Sequence, residues 1–283
     1  MKIGVSGANG NIGRAVVARL QALAPGEEII AISRTPNTQA GAVQTRLDDY
    51  DKPETLASAY AGLDRLLLIP GADLQPGVRS RQAVAMVDAA VAAGVGHIFL
   101  LSATGTREEA EPAIGAGYWA SEHQLVRSAA RRWTILRMSF FAETFVQMSQ
   151  PAVQMGAMFG LADTRMSLVS RADVAAGLAG ALAGENQVGA IFNLTGPAAL
   201  SGAERAAALA DAAGKTLPFE VVSEDRLRDM LAQGGLPPPM ADMMIGMLAH
   251  QASGAYDIVT GDIEMLSGRA PKPFRDVLAS PAL

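Results

Sequence analysis

Residues Met1 to Arg14 read MKIGVSGANGNIGR, and the interpretation of the whole chain turns on them. Lys2 to Ser6 have strand character and run straight into Gly7, Gly10 and Gly13, while Ile12, Val16, Val17, Leu20 and Leu23 recur at helical spacing. A strand, a glycine turn and a helix in that order make a phosphate cradle. The two charges of a dinucleotide pyrophosphate meet bare backbone N–H groups at the positive end of a helix, where a side chain would hold them away. Gly7 permits the tight turn, Gly10 the close approach of the phosphates, and Gly13 the packing of helix on strand. The spacing is G-x-x-G-x-x-G rather than G-x-G-x-x-G, so the flanking strand and helix carry the reading as much as the glycines do. Gly7, Ala8, Asn9, Gly10, Asn11, Ile12 and Gly13 are therefore candidate cofactor-binding residues.

The next strand, Glu28 to Ser33 (EIIAIS), ends on Arg34, with Thr35, Pro36, Asn37 and Thr38 turning the chain. Sites that prefer NAD place Asp or Glu there for the ribose 2′-hydroxyl, whereas a 2′-phosphate is repelled by a carboxylate and attracted by arginine. Ser33-Arg34 points to NADP, the guanidinium lying bidentate on the phosphate or flat over the adenine; a solvated loop arginine is the other reading. Ala42 to Leu47 has the pattern of a third strand, closing on Asp48, Asp49, Tyr50 and Asp51, with Pro53 opening a helix to Tyr60. Asp49 suits a hydrogen bond from an adenine amino group, and the three aspartates suit capping of that helix equally well. Arg65 to Ile69 is a strand of the apolar kind buried in parallel sheets. Ile69, Pro70 and Gly71 form a loop without bulk, where a nicotinamide-side ribose would lie. Val78 to Ala93 is a helix and His97 to Ser102 another buried strand, with His97 at the end away from the ligand edge and so structural.

Alternation of strand and helix over roughly the first 140 residues predicts an α/β fold, a Rossmann-type doubly wound parallel sheet. After Trp133 to Met138 the pattern changes, and helical periodicity appears at Ala172 to Ala183, Gly202 to Ala213, Glu224 to Gln233 and Met240 to His250. Ile191 to Leu194 reads as a late strand returning to the sheet. We expect an NADP-binding core over residues 1–150, with the returning strand near 188–196, and a smaller, mainly helical substrate lobe over 151–283, interleaved with the core. Pro237, Pro238 and Pro239 make a rigid start to a helix whose Met240, Met243, Met244 and Met247 belong in the core, or else form a compliant wall over an apolar substrate.

Composition narrows the function. The chain has 283 residues, 49% of them hydrophobic, enough for one large α/β unit and a small second lobe. Apolar runs such as Leu66 to Pro70 and Ile98 to Leu101 fall far short of the roughly 18 to 20 residues of a membrane span. No secretory leader precedes the first strand, so the expected location is the cytoplasm. The absence of cysteine excludes disulfides, thiolate metal sites and a cysteine nucleophile, and three histidines, His97, His123 and His250, suggest no metal cluster. A net charge of −5 with scattered basic residues argues against nucleic acid as a partner. The expected partner is a small molecule, and a homodimer is left open.

From GANGNIGRAVV through IIAISRTPN, LDDYD, LLLIPG, LLSATG, SEHQLVRSA, WTILRMSFFAETF, SRADVAAGLAGAL and FNLTGP to GGLPPPMADMM, the chain resembles the atypical short-chain dehydrogenases of the NmrA-like group. Within that group it is most similar to type 2 NAD(P)H:quinone oxidoreductases and triphenylmethane reductases. The resemblance implies NADPH, neither flavin nor metal, and a substrate cleft between the sheet edge and the C-terminal lobe. It also implies that Met138, Ser139, Phe140, Phe141 and Arg171 line the cofactor and acceptor sites. Relatives often carry a small polar residue or asparagine where Met138 stands, and Arg171 is as plausible a surface arginine at a helix start.

Better-known members of the wider superfamily reduce ketones with a tyrosine whose pKa is lowered by a lysine four residues on. Here Tyr118 is followed at that spacing by Glu122, and the only lysines are Lys2, Lys52, Lys215 and Lys272. A charge effect of Glu122 would keep the phenol protonated, so that Tyr118 donates a hydrogen bond rather than shuttling a proton. That suits a quinone, whose ring delocalises the charge left by hydride addition. Ser102 and Thr104 read as further donors or as turn residues, Tyr118 as a donor or as packing beside Trp119, and His123 as a pocket rim or a solvated helix position. Tyr118 and Ser102 are the candidate catalytic residues; Thr104, Tyr118, Trp119, Met138, Phe140 and Phe141 are the candidate substrate pocket. The expected activity is hydride transfer from NADPH to a quinone or similar flat acceptor. An NADP-binding redox sensor without turnover, and a reductase of an electron-poor alkene or imine, are the alternatives.

Overall fold

The computed structural model describes residues 1–36, 44–73, 75–109, 113, 115–185 and 187–280. The expected alternation is present: β1 (Lys2–Ser6), α1 (Asn11–Leu23), β2 (Glu28–Ser33), β3 (Gln44–Leu47), a 3-10 turn at Pro53–Thr55 leading into α2 (Leu56–Tyr60), β4 (Arg65–Leu68), α3 (Val78–Ala92), β5 (His97–Ala103), α4 (Ala116–Arg127) and β6 (Trp133–Met138). The part of the third strand expected at residues 42–43 lies outside the described residues. Beyond Met138 follow β7 (Phe140–Phe141), α5 (Ala142–Met155), β8 (Met158–Gly160), β9 (Met166–Val169), α6 (Arg171–Ala183), β10 (Ala190–Leu194), β11 (Ala199–Leu200) and α7 (Gly202–Ala213). The chain closes with β12 (Phe219–Val221), α8 (Glu224–Gln233), α9 (Pro238–Ala252), α10 (Asp262–Ser267) and α11 (Phe274–Leu278).

The chain divides into two compact units. The first comprises Met1–Met138, Arg171–Leu194 and Gly261–Ala270, and holds one seven-stranded sheet in the order β10-β6-β5-β4-β1-β2-β3. Every pairing in that sheet is parallel. From β1 the chain winds outward through β2 and β3, then returns to β4 on the other side of β1. The order reverses between β1 and β4, so their carboxyl ends form the crevice where doubly wound sheets bind ligands.

The strands are apolar on both faces because both are covered. Alternation sends Leu66, Leu68, Ile98 and Leu100 to a core completed by Met86 and Val87 of α3 and by Leu56 and Tyr60 of α2. On the opposite face α1 packs against α6. Arg65, the first residue of β4, is buried, and its guanidinium donates to the carbonyls of Leu182 (2.5 Å) and Gly184 (2.6 Å), satisfying the C-terminal end of α6. His97 is structural: its buried ring meets the Thr134 hydroxyl at 2.8 Å, and burial, with Arg132 and Arg65 nearby, lowers its pKa to about 4.

The second unit comprises Ser139–Ser170, Thr195–Thr260 and the chain from Pro271. Its three-stranded sheet runs β11-β9-β7, and β8 pairs with β12. Phe145, Val146, Met166, Leu168, Leu209 and Phe274 form its core. The methionines of α9 correct an expectation. The helix starts at Pro238 as read, but it buries Ala241 and, one turn on, Ile245, the latter against Val222 and Leu227. Met240 and Met243 are exposed, and Met244 and Met247 are only half-buried, so this stripe is not core.

Candidate active site

The glycine turn lies at the crevice, each glycine under a different constraint. Gly7 has φ +79°, in the left-handed region, and a Cβ there would come within 3.1 Å of the Ile69 Cβ at the end of β4. At Gly13 a Cβ would fall 2.2 Å from the Gly7 carbonyl oxygen and 2.7 Å from the Ala8 Cα, so helix and strand could not pack. Gly10 differs. Its backbone, φ −73° and ψ 167°, suits any residue, and an added Cβ would meet only the Gly7 oxygen, at 3.3 Å. Gly10 precedes α1 without any side-chain cap, and the first turn of α1 carries no acidic residue. Gly10's own N–H donates to the Gly7 carbonyl at 3.0 Å, while the first N–H groups of α1 meet no side-chain cap, as a pyrophosphate cradle requires. Of the other turn residues, Asn11 accepts from Arg14 at 3.1 Å, Ile12 is buried, and Ala8 donates its N–H to the Ile32 carbonyl at 3.0 Å.

The end of β2 is tied to this turn. Asn9 Nδ2 donates to the Thr35 carbonyl at 2.6 Å and to its hydroxyl at 3.1 Å, which sets exposed Arg34 beside the glycines. Ser33, which is buried, and Arg34 occupy the positions at the end of β2 where the NAD-preferring pattern has Asp or Glu. The aspartates after β3 do not cap the following helix, contrary to one of the two expectations. Lys52 precedes the 3-10 turn, with no side-chain cap. Asp49 accepts from the Asp51 N–H at 3.2 Å and pairs with Lys52 at 3.7 Å, while its own N–H donates to the Thr55 hydroxyl. Asp48 turns inward and is buried, accepting from Ser6 and Tyr60. Burial raises its pKa to about 6 against those hydrogen bonds and the nearby Arg34. Tyr50 reaches Ser6 at 2.5 Å and donates to the Ile69 carbonyl at 2.9 Å. The carboxyl ends of β1, β3 and β4 are therefore joined through Ser6, Asp48 and Tyr50.

Ser102 and Thr104 stand at the end of β5, both buried. The Ser102 hydroxyl meets that of Thr106 at 3.3 Å; Thr104 donates its N–H to the Met138 carbonyl at 2.8 Å, and its hydroxyl has no partner among the described residues. Tyr118, in the first turns of α4, has its pKa raised, but the cause differs from the sequence expectation. Burial raises it, and the Arg79 cation, 5.0 Å over its ring, opposes the rise. Glu122 takes no part. It is held bidentate by Arg137 of β6, at 2.9 and 2.6 Å, and tethers α4 to the sheet. Trp119 stacks on exposed His123 at 5.5 Å, so His123 is a solvated helix position.

The remaining candidates fall partly in the second unit. Ser139 is buried there, donating to the Ser167 carbonyl at 2.5 Å and meeting its hydroxyl at 2.9 Å. Phe140 lies edge-on to Tyr256 at 5.7 Å, and Phe141 pairs with Val169 in the short sheet. Arg171 opens α6 in the first unit, where Met138 ends β6; Pro70 and Gly71 follow β4. No group of three or more His, Cys, Asp or Glu suited to a metal ion occurs among the described residues. The sequence reading missed Asp48, Tyr50, Arg79 and Gln82. Asp48 entered that reading only as a helix cap, and Tyr50, Arg79 and Gln82 carried no assigned role.

A parallel sheet whose strand order reverses beside an uncapped glycine turn defines a dinucleotide-binding fold. Residues 7–185 match the model of a family described as NAD(P)H-binding, and the chain belongs to that family, as an NAD(P)H-dependent reductase of the NmrA-like atypical short-chain dehydrogenase group. It is 29% identical over 276 residues to an NAD(P)H azoreductase of Xenophilus azovorans, covering 96% of this chain and 95% of that one. Among solved structures it resembles an NADPH-dependent quinone oxidoreductase complexed with NADPH from Escherichia coli, with 27% identity, 98% of each chain and a TM-score of 0.87. It also resembles a Citrobacter sp. triphenylmethane reductase complexed with NADP(H), with 26% identity, 99% of each chain and a TM-score of 0.85.

Proposed function

We propose that this reductase moves hydride from NADPH to a flat, conjugated acceptor of the quinone type. The observation that carries the reading is the turn: the surrounding chain demands two of its glycines, while Gly10 is not demanded by the fold, so its missing side chain answers to a ligand. Exposed Arg34, standing where NAD-preferring sites carry Asp or Glu, supports NADPH over NADH, since its guanidinium suits a 2′-phosphate. Bound NADPH supplies the hydride. Tyr118 stays a phenol, because burial outweighs the neighbouring cation, and donates a hydrogen bond to the acceptor oxygen. We read Ser102 and Thr104 as further donors at the end of β5. The acceptor gains one hydride and takes one proton from water, which converts a quinone to a hydroquinone without a strongly tuned protein acid. Azo, quinone and triphenylmethane groups, which the relatives' names specify, share the conjugation this scheme uses.

The test is steady-state oxidation of NADPH by small quinones, with Tyr118→Phe alongside. The variant should lose about three- to thirtyfold, the scale of one neutral hydrogen bond plus some orientation, and simple secondary alcohols should not be oxidised. A loss of several orders of magnitude would make Tyr118 an obligatory proton donor and overturn this division of labour. NADPH binding with no turnover on quinones, conjugated alkenes or imines would instead favour the sensor reading.

A further inference from the structure

On the reading that Tyr118 meets the acceptor, we infer that Arg79 is a positioning residue: one guanidinium fixes both the loop after β4 and the ring of Tyr118. Arg79 Nε donates to the Gly71 carbonyl at 3.0 Å, and the same group lies 5.0 Å from the centroid of the Tyr118 ring. Both contacts lie within the first unit, where α3 and α4 pack together. Gly117 explains how the side chain gets there. A Cβ on Gly117 would fall 2.5 Å from the Arg79 Cγ and 2.6 Å from its Cδ, so the arginine stem crosses α4 through the space that glycine leaves. Gln82, three residues along the same face of α3, supports the loop from below. It is buried, its Nε2 donates to Asp51 at 2.9 Å, and its Oε1 fills the position that a Cβ on Gly71 would need, at 2.7 Å.

A planar guanidinium donates from its edge to a carbonyl while its flat face covers an aromatic ring; an ammonium has no such face to hold both partners in one fixed geometry. Arg79 thus places a cation beside Tyr118, although no lysine stands four residues after it. Its contribution is geometric. The cation keeps the phenol ring in one orientation while the hydrogen bond keeps Gly71 close to the helix, so the cofactor-side loop and the acceptor-side hydroxyl are set by one group.

The experiment compares Arg79→Met, Arg79→Lys and Gly117→Ala, each alone and over Tyr118→Phe, by calorimetric titration with NADPH and by quinone kinetics, after circular dichroism shows that each variant is folded. Arg79→Met should weaken NADPH about three- to tenfold in both backgrounds. It should also lower kcat/KM for the quinone at saturating NADPH about fivefold in the Tyr118 background, and less than twofold over Tyr118→Phe, where no hydroxyl remains to position. Arg79→Lys should recover the quinone step to within twofold while NADPH stays weakened. Gly117→Ala should reproduce the Met defects with the cation still present. Unchanged NADPH affinity in folded Arg79→Met, or a quinone defect of equal size over Tyr118→Phe, would overturn the inference. A failure of the proposed activity would appear differently, as no quinone turnover in the unmutated protein, and the calorimetric arm would still decide whether Arg79 holds the loop.

Discussion

Gly10 and Gly13 stand three residues apart in one turn and answer to different demands. Gly13 has no room for a methyl group, whereas Gly10 is exposed and has ordinary backbone angles. Gly10→Val should therefore leave the thermal unfolding midpoint nearly unchanged and weaken NADPH and NADH alike, because both share the pyrophosphate. Calorimetry on the folded variant checks this, and normal affinity would move the phosphates elsewhere. Arg34→Ala should behave differently, with a loss of about tenfold to a hundredfold for NADPH, from roughly 1.5 to 3 kcal/mol of charge-assisted bonding, and little loss for NADH. Equal affinities for the two cofactors in the unmutated protein would remove the argument from the end of β2. Both residues were legible in the sequence because their chemistry is local to a strand end. Arg79 was not, since its partners Gly71 and Tyr118 lie 8 residues back and 39 residues ahead, and only the packing of α3 on α4 brings them together.

At the scale of elements, the sequence located the seven strands of the parallel sheet and most of the longer helices, because a parallel sheet covered on both faces leaves long apolar runs and glycine stops, but it did not locate the short strands β7, β8, β9, β11 and β12 or the helices α5, α10 and α11. It failed where a side chain's direction depends on a neighbouring element. Asp48, Asp49 and Asp51 looked equivalent before a helix, yet Asp48 faces β1 and joins Ser6, Tyr50 and Tyr60 across 42 residues of chain. The α9 methionines have core spacing, but the helix meets its neighbours through Ala241 and Ile245. The Asp48 cluster has a measurable signature. Its carboxyl moves from an ordinary 3.8 to about 6, so the folded state holds the proton more tightly than the unfolded chain does. A raised acid pKa makes its contribution to stability largest below about pH 4, and that contribution falls as the pH rises to about 6, in all by roughly 3 kcal/mol. Asp48→Asn removes this dependence. Urea unfolding at pH 4 and pH 7 should show the unmutated protein losing stability relative to the variant by that order, and a pH-independent difference would contradict the burial of the charge.

For the molecule as a whole, the strand order that reverses at β1 and β4 gathers the candidate residues from distant parts of the chain into one unit. The glycine turn, Arg34, the Ile69–Gly71 loop, Ser102, Thr104 and Tyr118 all belong to the first unit. Its two chain segments beyond Met138 supply β10, α6 and α10, which complete the sheet and cover it. The reductase class follows from this unit and from the family match, and the acceptor chemistry is the part that an experiment must decide. The most direct measurement is a single anaerobic turnover: purified protein loaded with NADPH and no added flavin or metal, mixed with a small quinone, with the reduced nicotinamide absorbance followed in a stopped-flow instrument. Direct hydride transfer predicts loss of one equivalent of that absorbance per site, slowed about two- to sevenfold when the transferred hydrogen of NADPH is deuterium. Retention of the NADPH signal under these conditions, or a loss that requires added flavin, would contradict direct hydride transfer to the quinone.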